Sequence, residues 1–94
     1  MRRVARIAVG IRVFPSDVSL DLDVLLKRIE DSLPPGYSIA SYMEIPIAFG
    51  YRVLRLVLLM PENVEGGTDQ IEEVLSRVDG VDQVEVEFVH RVSE

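Results

Sequence analysis

The chain has no cysteine and no tryptophan, a single histidine, and only one lysine, Lys27, among its ten basic residues. Without cysteine there are no disulfides, no thiolate nucleophile and no zinc site of the kinds that use Cys ligands. His90 is the only imidazole, and no strained serine elbow accompanies it, so a nucleophile and base pair has nothing to be built from. Long apolar runs are missing as well. The longest, Val53 to Met60, is interrupted by Arg55 and falls well short of the roughly 20 residues that span a bilayer. Arg2 and Arg3 are followed by Arg6 and Arg12 rather than by the apolar block of a signal peptide, so the expectation is a cytoplasmic protein with no membrane partner. Positive charge is in deficit, with ten bases against sixteen acids and a net charge of -6. General attraction to phosphate backbones is therefore absent, and no direct nucleic-acid partner is expected.

What is present suffices for one core. A chain of 94 residues with 48% hydrophobic content makes a single domain, 1–94. Ile7, Val9, Ile11 and Val13 alternate with Arg6, Ala8, Gly10 and Arg12, which predicts a strand with one buried face. Leu22, Leu25, Leu26, Ile29 and Leu33 then recur at helical spacing, closed by Pro34, Pro35 and Gly36. Tyr37 to Ile45 reads as a second strand, an edge because Pro46 cannot donate to a central ladder. Tyr51 to Met60 is a third strand, apolar on both faces. Ile71, Val74, Leu75 and Val78 mark a second helix, with Thr68 offering an N-cap hydroxyl and Gly80 at the C′ position. Val84, Val86 and Phe88 alternate with Gln83, Glu85 and Glu87 in a fourth strand. The order βαββαβ predicts an α+β ferredoxin-like sandwich: a four-stranded antiparallel sheet, strands 1 and 3 central, with both helices on one face.

Candidate chemistry is sparse on such a frame. His90 shares the parity of Val84, Val86 and Phe88 and reads as a partly buried strand residue at the sheet margin. Glu72 and Glu73 diverge on a helix, and Glu85 and Glu87 face outward, so neither pair suits acid–base work. Glu62, Asn63 and Glu65 lack the ligand spacing of a calcium loop, and with Asp69 they would repel a phosphate from Gly66 and Gly67, so no metal and no cofactor is expected. The sheet has no pair of aromatics on its central strands for RNA stacking. Two apolar features remain. On the face away from the helices, Val53, Val57 and Leu59 would need a cover, either a weak homodimer or nothing more than scattered surface apolars. Between strands 2 and 3 the connection Ile45-Pro46-Ile47-Ala48-Phe49-Gly50 places an aromatic beside a flexible glycine and behind a stiff proline. Phe49 either projects as an interface anchor or folds back over the core.

Three segments, IPIAFG with the run from Tyr51, MPENVEGGTDQIEEVL from Met60, and DGVDQVEVEFVHRV from Asp79, together resemble the exchange domain of the translation elongation factor 1-beta family in its short archaeal form. The resemblance implies a ferredoxin-like fold and guanine-nucleotide exchange on the GTPase elongation factor 1-alpha, without covalent chemistry. It implies partner contact through the segment holding Ile45, Pro46, Ile47, Phe49 and Gly50. It also places Arg91 where eukaryotic members carry a near-terminal lysine that reaches the magnesium and phosphate site of the GTPase. Arg91 has the parity of Glu85 and Glu87, which predicts a side chain pointing away from Phe88 and from the helix-covered core. The alternative is a small-molecule regulatory or interaction domain on the same frame, since fold does not fix function.

Overall fold

The computed structural model describes residues 5–62 and 66–93. Four strands and two helices follow in the order β1 (Ala5–Pro15), α1 (Leu22–Ser32), β2 (Ser38–Ala48), β3 (Tyr51–Pro61), α2 (Asp69–Ser76) and β4 (Val81–Ser93). The strands form one antiparallel sheet in the order β2-β3-β1-β4, so β1 and β3 are central and β2 is an edge, as the periodicities predict. The molecule is long, with principal extents of 49 × 21 × 19 Å.

Alternation in the two central strands builds the core. Val9, Ile11 and Val13 of β1 and Leu54, Leu56, Leu58 and Met60 of β3 are buried with Leu22, Leu25 and Ile29 of α1 and Ile71 and Leu75 of α2. Burying a side chain of this size contributes about 1.5 to 3 kcal/mol, so this shared layer is what holds the helices to the sheet. The Asp21 side chain caps α1 by accepting from the Asp23 amide at 2.8 Å. Thr68 stands at the N-cap of α2, but its hydroxyl donates to Glu72 at 2.8 Å instead of accepting a backbone amide. Gly80 lies beyond the C′ position, because α2 ends at Ser76. At φ +100° it forms a turn where an added Cβ would meet Leu20 at 2.8 Å, and its carbonyl accepts from the Ser16 amide at 2.8 Å.

The last strand departs from simple alternation. Phe88 pairs with Gly10, yet Val86 pairs with Ile11, leaving Glu87 as the extra residue of a β-bulge. Val84 and Val86 still pack on the core, but beyond the bulge the parity is reversed. Phe88 and His90 thus fall on the open face, opposite Gly10 and Ala8, with their rings stacked at 5.2 Å and 13°. This corrects the expectation that both share the parity of Val84 and Val86. Gly10 is required there, since a Cβ would lie 2.2 Å from the Phe88 ring.

The open face is covered in part by the chain's own side chains. Glu87 reaches between the facing guanidiniums of Arg12 and Arg55, at 2.9 and 2.8 Å. Without that carboxylate the two cross-strand arginines would repel. Val53, expected to be uncovered, is fully buried, and Val57 and Leu59 are half-buried. Met43, which pairs with Arg55 on this face, is 54% exposed. Asn63 and Glu65 of the acidic loop lie outside the described residues.

Candidate functional site

The segment expected to be a loop between β2 and β3 is mostly strand. Ile45, Pro46 and Ala48 pair with Val53, Arg52 and Tyr51, Ile47 is an inserted residue, and only Phe49 and Gly50 form the turn. Pro46 is tolerated because β2 is an edge strand, where a missing N–H breaks no ladder on the outer side. The two turn residues have φ of 53° and 79°. Two successive positive values are those of a type I′ hairpin turn, whose first position ordinarily holds asparagine, aspartate or glycine. Phe49 is the only non-glycine among the described residues with positive φ. The left-handed conformation costs a residue with a Cβ about 1 to 2 kcal/mol.

No packing among the described residues offsets that cost, because Phe49 is fully exposed. Of the two readings left open by the sequence, the projecting one is observed. Ile47, 53% exposed, accompanies it on the same tip. A third apolar group joins them from the connection after β1. Asp17 accepts from the amide and hydroxyl of Ser19 at 2.9 and 2.8 Å, fixing a tight turn with Val18 at its centre. These bonds, the backbone one foremost, hold the Asp17 carboxyl below its usual 3.8. Val18 is 55% exposed and lies against the tip, 3.9 Å from where a Gly50 Cβ would stand. Sequence reasoning missed it, although a lone valine within Ser-Asp-Val-Ser was a signal.

The tip is tied down at its base. The Tyr51 hydroxyl donates to the Pro15 carbonyl at 2.8 Å, and burial, then the nearby Asp82 charge, pushes that hydroxyl above its usual pKa of 10.0. Across the hairpin Arg52 pairs with Glu44 at 2.5 Å.

Arg91 is not brought to this tip. It pairs with Ile7, which pairs on its other side with Met60, while the tip begins at Tyr51. At about 3.3 Å per residue along β3 the two places are about 30 Å apart. Arg91 points away from Phe88, as expected, but lies on the helix-side face rather than away from it, because the Glu87 bulge has reversed the parity. Its Nε meets Glu62 Oε2 at 2.5 Å. Ile45, Pro46, Ile47, Phe49 and Gly50 are thus one group, and Arg91 is another.

Taken together these features define a ferredoxin-like α+β domain with a protruding apolar tip at one end and a charged group at the other. The family model described as the EF-1 guanine nucleotide exchange domain matches residues 8–92, and the chain belongs to that family. Proteins named elongation factor 1-beta are similar over nearly their whole length. That of Desulfurococcus amylolyticus is 51% identical over 90 residues, covering 96% of this chain and 100% of the relative. That of Hyperthermus butylicus is 46% identical over 91 residues, covering 97% and 99%. Among solved structures, the C-terminal domain of the MgtC protein from Mycobacterium tuberculosis aligns with a TM-score of 0.49 at 14% identity, covering 97% of this chain and 88% of that one. No helix among the described residues is long and apolar enough to cross a membrane.

Proposed function

We propose that this chain promotes GDP release and GTP reloading on elongation factor 1-alpha in the cytoplasm. The observation that carries the reading is Phe49, a fully exposed aromatic held in a left-handed turn within a chain of the exchange-domain family. A side chain kept strained and bare inside its own fold suits an anchor completed by a partner. Val18 and Ile47 would widen the apolar contact.

No covalent step is needed. A factor that binds the nucleotide-free GTPase more tightly than the loaded one lowers nucleotide affinity by linkage, and GTP then displaces it. Phe49 would supply affinity at one end. Arg91, about 30 Å along the sheet, would act on the charge of the magnesium and phosphate site, so the GTPase must present two separated surfaces.

The test is release of labelled GDP from elongation factor 1-alpha of the same source, followed by stopped flow with increasing amounts of this chain. A saturable rise in rate is expected. An unchanged rate at an excess of the chain would refute the proposal and return the fold to the regulatory-domain reading.

A further inference from the structure

The ion pair between Arg91 and Glu62 joins two strands that are not neighbours. Glu62 directly follows β3, Arg91 belongs to β4, and β1 runs between them. Both flank Ile7, whose cross-strand partners are Met60 on one side and Arg91 on the other. The carboxylate is placed by its neighbour: Pro61, the last residue of β3, pairs with Arg6. Its ring nests against Gly36, where φ is +89° and an added Cβ would stand 2.9 Å from the proline Cγ.

We infer that Glu62 is a positioning residue for Arg91, holding its Nε so that the terminal guanidinium nitrogens are aimed at an anion of the partner. This rests on the role proposed above for Arg91. The chemistry is specific to arginine, because a guanidinium carries five N–H donors on three nitrogens. One nitrogen can stay on a carboxylate while the outer pair binds phosphate. A long side chain near the end of an edge strand loses conformational freedom when it docks, and an anchor made beforehand reduces that loss. A lysine in the same place has one nitrogen and would have to leave Glu62 to reach its target.

That contrast provides the experiment. Maximal GDP release and the half-saturating factor concentration are measured for Glu62→Gln, Arg91→Ala, Arg91→Lys and the double variant Glu62→Gln with Arg91→Lys, with thermal midpoints alongside. Glu62→Gln alone should slow maximal release about threefold to fivefold, the reach of an exposed ion pair, with half-saturation and midpoint unchanged. In the Arg91→Lys background the same change should speed release, because it frees the ammonium. The sign reversal is what a merely structural clamp would not produce; a clamp would lower the midpoint and act in one direction in both backgrounds. Equal or faster release by Glu62→Gln in the Arg91 chain overturns the inference, as does the absence of a sign reversal. If Arg91→Ala is itself silent while the unaltered chain exchanges nucleotide, the role of Arg91 falls and takes this inference with it. If Arg91→Ala slows release and Glu62→Gln does not, only Glu62 is misassigned.

Discussion

The two ends of the sheet are built by opposite means. At the hairpin tip the apolar groups Ile47, Phe49 and Val18 face solvent, and the geometry is imposed by the backbone: two positive φ values, an inserted residue and the Tyr51 tether to Pro15. At the far end the side chains are charged, and the geometry is imposed by an ion pair across a strand. Backbone strain fixes a position without neutralising anything, so an apolar anchor can be presented bare. An ion pair fixes a flexible cation but partly satisfies it, so the cation must retain donors for its target. The apolar end suits affinity and the charged end suits perturbation of a bound nucleotide.

The largest effect should come from separating the anchor from the fold. Phe49→Ala should raise the half-saturating factor concentration about thirtyfold, equivalent to about 2 kcal/mol for a hot-spot aromatic, with the thermal midpoint unchanged. A titration of GDP release rate against factor concentration measures it, and a fall in the midpoint instead would show that Phe49 carries fold stability. Next, Arg91→Ala should slow maximal release about tenfold with little change in half-saturation. Raising free magnesium should then oppose the unaltered chain more than the variant, and identical magnesium series for the two would erase the contrast between the ends.

Smaller effects concern stability alone. Phe49→Gly should unfold later than Phe49→Ala by about 1 kcal/mol, or several degrees, since glycine relieves the left-handed strain that alanine keeps. Calorimetry of the pair isolates that strain from the loss of the ring. Tyr51→Phe removes the bond to the Pro15 carbonyl and should cost about 0.5 to 1.5 kcal/mol, with faster amide exchange confined to the hairpin. Burial also raises Tyr37, as it does Tyr51, above the usual 10.0. A raised value means the folded chain holds these protons more tightly than the unfolded one. Their contribution is full below pH 10 and is lost as pH climbs through the folded values, so alkaline titration of the midpoint should fall earlier for the unaltered chain than for Tyr51→Phe.

The frame was legible because β1, β3 and both helices carry clean periods, and two central strands with two helices determine most of the core. β2 was harder. As an edge strand it has few buried positions, and Ala40 and Ile47 interrupt its pairing, so Pro46 and its neighbours resembled a loop although they extend the ladder. The tip was legible as composition, since an aromatic beside glycine after a proline is unusual in a connection, but its exposure was not. The separation of Phe49 from Arg91 follows from pairing register, which depends on where bulges fall, and neither residue carries a local sign of it.

The bulge at Glu87 acts on β4 as a single inserted base acts on a coding strand. Just upstream of it, the even-numbered Val84 and Val86 are read against the core; downstream, the odd-numbered residues take the core side. A single-residue deletion at Glu87 would therefore restore the frame, leaving Phe88 opposite Gly10 and Arg91 opposite Ile7. The loss would be local: the carboxylate between Arg12 and Arg55 would go, and the two facing guanidiniums would repel. The strand would then alternate through this point without a break, and every residue after the deletion would keep the face it has now.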